Sequence, residues 1–468
     1  MKSRTTPPST ADFAMTFKTS LAGARRLSVG GVKAIATNAY VFGYPLVLVD
    51  VTQETSTAVA APRSDSLNAP LNQFAHARGL LGPASMPSVA PSAGMLRSAA
   101  WLDLYKEPIV LSIPDLGARY YSMQLMDAWT DVFACPGSRT TGNGRADFAI
   151  AGPRWNGALP RGVALIRSPT ELVFLVAHTQ VNGMRDLAAA HEVQNRYQLT
   201  PLGAWGEPYT PPVAQVDSTI DVATPPREQV ACMNAATFFG RLNALMRSNP
   251  PGAEDGAALR MFETIGIGPG RELDFGFIDS ALAEGLAAGA KAGHAAIVAG
   301  ANYHRGPTVN GWIMPSRNAG NFGTDYVSRA ANALLGLGAT RAEDALAPHT
   351  SVDADGEPLT GDRRYVIRFP TDGLPPVKAF WSISVCQTDA SIAASPLDRH
   401  SLCSCDELAE DCDGSTAIYL QHDSPGEHWE TNWLPVPRGP FAITLGLYWP
   451  DQAAIDGRWI VPPIERVP

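Results

Sequence analysis

The sequence predicts a mainly β protein: two β-rich sandwich domains joined by a helical segment. Three observations carry this prediction. The chain has 468 residues, more than one hydrophobic core usually serves, since domains cluster at roughly 100 to 200 residues. Short apolar runs bounded by Gly and Pro recur in two separate blocks, Pro108 to Gln180 and Tyr365 to Trp449, the pattern of stacked antiparallel strands. Between the blocks, small and apolar residues recur at intervals of three and four, which is the period of a helix. Composition agrees, with 45% hydrophobic and 17% charged residues and with 42 Gly and 39 Pro to supply turns.

Residues 1–35 are polar and basic without a sustained period and predict a flexible arm. The apolar run from Ile35 to Val51 is either the first strand or, the preferred reading, a helix that stops before Pro45, because proline disfavours a helical residue ahead of it. Ala60 to Ser98, rich in Pro, Gly and Ser, predicts an extended surface excursion. A hairpin is expected next: Pro108 to Pro114, a turn at Pro114-Asp-Leu-Gly117, and a return strand over Arg119 to Met126. Three more strands are expected at Asp147 to Ala151, Gly162 to Ile166 and Glu171 to Gln180, followed by a capping helix over Met184 to Tyr197, which closes an N-terminal domain over 36–200.

Residues 201–226 are proline-rich and predict a stiff, extended linker. A helical domain over 227–345 should contain helices at Arg227 to Arg247, Ala253 to Ile265, Phe277 to Ala301 and Thr324 to Leu337. Strand patterning returns over 346–468, at Tyr365 to Phe369, Ala379 to Cys386, Thr416 to Gln421 and Phe441 to Trp449.

A formal net charge of -9 and a pI near 5.5 leave no basic stripe for phosphates, so neither nucleic acid nor an anionic membrane surface is an expected partner. No apolar stretch is expected to approach the ~18 residues of a membrane span, the best candidate being an Ala-rich run that charges interrupt. The Ala-rich run from Ile278 to Ala301 contains Glu284, Lys291 and His294. Residues 1–26 lack the continuous apolar core of an export signal, so a cytoplasmic protein is expected. Its six cysteines, at 135, 232, 386, 403, 405 and 412, should then stay reduced and unpaired.

Phosphate-loop, nucleophile-elbow and H-E-x-x-H motifs are absent. Gly266-Ile-Gly268-Pro-Gly270 lies between helices and carries a proline, which is the wrong context for a dinucleotide site. His400, Cys403, Cys405 and Cys412, with His422 and His428 beyond, are metal-ligand types, but Cys-x-Cys is not a zinc knuckle. No metal and no cofactor are therefore expected. The strand Arg119 to Trp129 is the most chemically loaded. Alternation places Arg119, Tyr121 and Asp127 on one face and Tyr120, Ser122 and Gln124 on the other, as in a pocket wall. A purely structural alternative pairs Asp127 with Arg139 and bonds the tyrosines to backbone.

The chain resembles the family that pairs the domains of unknown function numbered 1254 and 1214. The likeness rests on Ala100-Trp-Leu-Asp-Leu104, Arg119-Tyr-Tyr through Asp127-Ala-Trp129, and Pro136-Gly-Ser-Arg-Thr-Thr-Gly142 in the first module. In the second it rests on Asn310-Gly-Trp312, Phe380-Trp-Ser382, Asp413-Gly-Ser415 and Asn432-Trp-Leu-Pro435. The resemblance implies an immunoglobulin-like sandwich, a small helical domain and a jelly-roll-like sandwich, in that order, and no settled reaction. Departures from the family pattern are informative. Ser92-Ala-Gly94-Met95-Leu-Arg97 stands where the family reads Asn-x-Asp-Thr-x-Tyr, and Cys386-Gln387 where it reads Tyr-Asp. Gly446 replaces an expected Arg, His178 another Arg, and His400 a Tyr.

Two functions are open on these grounds. In the first, an enzyme performs metal-free hydrolysis or rearrangement on a small, fairly apolar molecule. His178 and His400 then act as acid and base, Asp127 or Tyr121 orients, and Cys386 is a less favoured nucleophile. In the second, the chain is a non-catalytic binding or scaffolding protein. Trp101, Asp103, Arg119, Trp129, Trp381, Cys386, Gln387 and Trp433 complete the expected ligand contacts, in a cleft between the β domains. A small molecule is the expected partner, and self-association into a homo-oligomer stays open.

Overall fold

A computed structural model describes residues 27–79, 94–303, 306–387 and 399–467. The expected arm lies outside these residues up to position 26, and from Val29 onward it already belongs to the first helix. Helix α1 spans Val29–Thr57, with the Ser28 hydroxyl accepting the Gly31 N–H at its start. It does not stop before Pro45 but runs straight through it. A proline inside a helix forfeits one backbone hydrogen bond and costs about 3 kcal/mol. Here every residue from Tyr40 to Val49 is buried, and that burial outweighs the local penalty.

Helix α1 is also long and apolar enough to cross a membrane by length and composition, the one such helix among the described residues. The expectation that no apolar stretch approaches this length is corrected by α1. In this fold 72% of its most apolar window is buried inside the molecule.

The first sandwich contains β1 (Ala75–His76), β2 (Met95–Asp103), β3 (Ile109–Ile113), β4 (Tyr121–Asp127), β5 (Val132–Ala134), β6 (Ala146–Ala151), β7 (Ala164–Arg167), β8 (Leu172–Gln180), helix α2 (Leu187–Asn195) and β9 (Gln198–Pro201). One sheet has the order β1-β2-β8-β4-β5 and the other β7-β6-β3-β9. The surface excursion expected up to Ser98 therefore gives way to strand β2, and its residues 80–93 lie outside those described. The expected hairpin is not one. Both strands exist, but β3 pairs with β6 and β9 while β4 pairs with β8 and β5, in opposite layers. The link 114–120 crosses between the sheets, held by the Asn143 amide, which donates to the Gly117 and Arg119 carbonyls. A glycine at positive φ, here Gly117, fixes a bend but not which strand comes next. Leu102, Leu111, Met123, Leu125, Ile150 and Leu175 fill the space between the layers.

After the linker come α3 (Pro226–Cys232), α4 (Ala235–Leu245), α5 (Gly256–Glu263), α6 (Ser280–Tyr303) and α7 (Tyr326–Leu335). The single helix expected over Arg227 to Arg247 is two, because Asn234 breaks it and caps α4 by accepting the Thr237 N–H. Helix α1, placed by sequence with the first sandwich, shares a core with α4, α5, α6 and α7 and with one face of the five-stranded sheet.

The second sandwich contains β10 (Thr308–Val309), β11 (Trp312–Ile313), β12 (Ala345–Leu346), β13 (His349–Thr350), β14 (Arg364–Phe369), β15 (Val377–Cys386), β16 (Ser401–Cys403), β17 (Thr416–Gln421), β18 (Trp433–Pro435), β19 (Ala442–Pro450) and β20 (Ile464–Val467). A seven-stranded sheet with path β10-β11-β13-β19-β15-β16 carries β12 on β19, and faces a four-stranded sheet β18-β17-β14-β20. Trp381, Ile383, Leu420, Leu434 and Leu445 lie between them. Two β sandwiches joined by helices are thus the architecture.

The cysteines are not all unpaired: Cys403 and Cys405 form a disulfide. The end of β16 turns so that their Cα atoms lie 5.2 Å apart, within reach of a bridge. Closing so short a loop removes little chain entropy, worth about 1.6 kcal/mol. Cys135, Cys232, Cys386 and Cys412 are free.

Candidate functional site

The outer face of the five-stranded sheet is where the three parts of the molecule meet. Its cross-strand register sets Arg97 beside His178 and Ser122, Ala99 beside Val176 and Gln124, and Trp101 beside Phe174 and Met126. One end of this face is polar and looks toward the second sandwich, while the other is aromatic and apolar and looks toward α1.

At the polar end, Met95 and Tyr120 pack against Phe380, Cys403 and Tyr448. A Cβ on Gly94 would approach the Phe380 ring to 3.1 Å, and one on Gly446 would meet the Tyr448 hydroxyl at 3.0 Å and the Ser382 hydroxyl at 3.1 Å. Half-buried Arg97 senses Tyr448 electrostatically, and His178 senses Arg97. The departures at Gly94, Arg97, His178 and Gly446 thus gather at one junction. Those at Cys386, Gln387 and His400 do not join them in a cleft. Cys386 is buried at the far end of β15 with its sulfur 3.8 Å from the Thr444 hydroxyl. Gln387 is exposed, and His400 is half-buried just before β16.

His178, one of the proposed acid/base pair, and Asp127, a proposed orienting group, fare differently from expectation. Burial, and then the Arg97 charge, press the His178 pKa down to about 3, so the ring is neutral near neutral pH. Asp127 is pushed up to about 7, first by burial and then by Asp131. Its Oδ1 is already occupied, accepting the Trp129 N–H at 2.8 Å and the Asp131 N–H at 3.0 Å around the positive-φ residue Thr130. Asp127 is a turn cap. It does not pair with Arg139, whose Nε and Nη2 grip the Asp344 carboxylate at 2.7 and 3.1 Å. Tyr121 points into the first sandwich, where its hydroxyl donates to the Gly142 carbonyl at 2.9 Å.

The remaining candidates are dispersed. Arg119 pairs with Asp186 at 2.6 Å beside α2. Asp103 accepts the Tyr105 N–H at the end of β2. Trp129 packs on Phe42 and donates from Nε1 to the Pro250 carbonyl. Trp381 lies inside the second sandwich against Phe369, and Trp433 donates to the Gln421 carbonyl. The cleft expected from Trp101, Asp103, Tyr121, Asp127, Trp381, Gln387 and Trp433 is therefore not assembled. Period-two alternation turns Tyr121, Asp127 and Trp381 away from the junction.

The aromatic end holds a real cavity of about 500 Å³. Its floor is Ala99, Trp101 and Phe174, the two rings stacked with centroids 4.3 Å apart. Leu48, Thr52, Thr55 and Ser56 of α1 form one wall, the last turn of α7 with Ala333 to Leu337 another, and 66–68 and 222–227 the rim. Arg227 is the single charged side chain in the lining. Of the residues singled out by sequence only Trp101 is here. A signal for the rest existed, since Leu48, Thr52 and Thr55 recur at helical spacing on α1, but only a helix that continued past Pro45 could display it.

A second cavity of about 560 Å³ lies between residues 62–76, β9 and the proline-rich linker, with Phe74, His76, Tyr197, Glu207 and Tyr209 in its lining. Burial, then Arg78, lowers the His76 pKa to about 4, and its Nδ1 lies 2.7 Å from the Ser98 hydroxyl. Among the described residues no group of three or more His, Cys, Asp or Glu could hold a metal. The bridged Cys403 and Cys405 offer no thiolate.

Buried His178 and half-buried His76 set an acid limit on stability. Both have folded-state values below the unfolded one of 6.5, so the unfolded chain binds more protons as pH falls from 6.5. Their stabilisation is complete above pH 6.5 and is lost as pH falls through 4 and then 3. Asp127 acts oppositely, its raised value eroding stability as pH rises from about 4 to 7. A denaturation series from pH 8 to 4 should show a falling acid limb that His178→Gln makes shallower; an unchanged limb would remove His178 from it.

Residues 71–201 match the family described as protein of unknown function (DUF1254), and residues 344–452 match that described as protein of unknown function (DUF1214). Among solved structures, the VPA0106 protein from Vibrio parahaemolyticus is similar at a TM-score of 0.72 and 24% identity, over 93% of this chain and 100% of that one. A putative uncharacterized protein from Burkholderia cenocepacia reaches a TM-score of 0.45 at 11% identity, over 92% of this chain and 88% of that one. The first likeness establishes a shared fold. A search of curated proteins found no match.

Proposed function

The chain belongs to the family that pairs DUF1254 with DUF1214, and from that premise we propose that it binds a small, largely apolar organic molecule without transforming it, in the cavity between α1, α7 and the five-stranded sheet. The observation that carries this reading is the lining: a stacked Trp101–Phe174 floor, aliphatic walls from Leu48, Leu67 and Leu334, and a single charged side chain, Arg227, at the rim. Apolar walls with a few polar groups are what a binding pocket for an organic molecule needs. Acid/base chemistry needs a titratable pair within reach of the ligand, and the lining includes no carboxylate and no imidazole. The candidate general base His178 lies off this cavity, buried beside Arg97.

The test is titration with 2-methoxynaphthalene, an aromatic probe without a hydrogen to donate. Saturable binding should weaken about tenfold in Trp101→Ala, since the aromatic stack and its buried area are lost, and should persist in His178→Gln. No binding by the wild type would overturn the reading. So would binding that survives Trp101→Ala but disappears in His178→Gln.

A further inference from the structure

We infer that the ligand of this cavity is an aromatic compound carrying a hydroxyl group, of the phenol or aromatic alcohol class, an inference that rests on the binding reading above. The lining offers a hydroxyl-bearing ligand acceptors on its α1 wall, and the Ser66 hydroxyl, buried without a hydrogen-bond partner, can both donate and accept. Thr52 commits its hydroxyl proton to the Leu48 carbonyl at 2.6 Å, and Thr55 commits its own to the Thr52 carbonyl at 3.0 Å. What each oxygen has left to offer is a lone pair.

Helix α7 ends at the opposite wall, and the carbonyls of its last turn have no intrahelical partner by construction. The Gly336 N–H goes back to the Asn332 carbonyl, and among the described residues no following backbone N–H reaches those of Ala333, Leu334 or Leu335. The negative end of a helix dipole likewise favours a donor there. A ring system seated on the Trp101 face satisfies the floor, and a hydroxyl proton satisfies the lone pairs of the walls. A carboxylate would set its own lone pairs against them. Arg227 is the one charged group of the lining that favours an anion, and it sits exposed at the rim, where water screens its charge.

Three probes of one shape separate the possibilities: 2-naphthol, 2-methoxynaphthalene and 2-naphthoate, titrated by fluorescence. 2-Naphthol should bind about tenfold more tightly than 2-methoxynaphthalene, which has the same rings and no proton to give, and 2-naphthoate should bind most weakly. In the double variant Thr52→Val, Thr55→Val the preference for 2-naphthol should shrink to about twofold, because valine keeps the shape and removes the lone pairs. Equal binding of 2-naphthol and its methyl ether, or tightest binding of 2-naphthoate, overturns the hydroxyl assignment and leaves the apolar cavity standing. A preference unchanged in the double variant also overturns it. Failure of all three probes sinks the cavity reading itself.

Discussion

Gly289→Ala should destabilise the protein by about 2 kcal/mol or more, whereas the same change at Gly240 should stabilise it by up to about 1 kcal/mol. Both glycines lie inside helices, so alanine gains the same intrinsic propensity at each, about 1 kcal/mol. What differs is the space for one methyl group. A Cβ at Gly240 of α4 would meet nothing within 4 Å. At Gly289 of α6 it would lie 2.4 Å from the Ala36 Cβ, 2.9 Å from the Lys33 carbonyl oxygen and 3.0 Å from the Ala36 carbonyl carbon.

Two of those three neighbours are backbone, so no rotamer change can relieve the clash and the two helices must separate. Gly285 and Gly293 repeat the contact one turn away on each side, against Val32 and Tyr40 at 2.5 and 2.7 Å. Parting α1 from α6 along this seam forfeits packing over several turns, which places the cost at the upper end of the overpacking range of about 1 to 3 kcal/mol, or beyond it. Chemical denaturation of both variants measures the difference. A Gly289→Ala protein as stable as Gly240→Ala would mean that α1 and α6 do not cross this closely.

The same seam explains what the sequence could and could not reveal. Helix α6 is legible from its Ala-rich run, with Glu284 and Lys291 exposed on one side. The glycine spacing on its other side becomes meaningful only once α1 is known to lie there. Pro45 hid that partner, because its local rule is obeyed wherever burial does not compete, and in α1 burial does. Strands β3 and β4 were legible one by one, since alternation is local, but their separation into two layers depends on Asn143, more than twenty residues further on. The site divides in the same way. Trp101 stood out because its motif is local, whereas Thr52 and Leu334 reach the cavity through the placement of two helices distant in sequence. Charged and aromatic residues attracted attention to Asp127, Tyr121 and Trp381, and in each case the structure spends them on a cap or a core.

Asp344→Ala should cost about 3 kcal/mol, the second large effect expected of a single substitution. This carboxylate is 3% exposed and closes the junction of the two sandwiches, accepting from Nε and Nη2 of Arg139 at 2.7 and 3.1 Å. Its own backbone carbonyl takes the Tyr120 hydroxyl at 3.1 Å and the Trp449 N–H at 2.9 Å, which fixes the carboxylate relative to both modules. Removing one partner of a buried pair costs about 3 to 5 kcal/mol, because the other charge is left unpaired. Arg139 is 26% exposed and can recover part of its hydration, which places the cost at the lower end. Replacing both should therefore hurt less than replacing one. Asp344→Ala with Arg139→Leu should regain stability relative to Asp344→Ala alone, a coupling that a double-mutant cycle reads directly. The exposed pair Arg63 and Asp65, with side chains 58% and 65% accessible, supplies the contrast, and Asp65→Ala should change stability by no more than about 0.5 kcal/mol. If Asp344→Ala also falls within that limit, the Arg139 contact is not what holds the two sandwiches together.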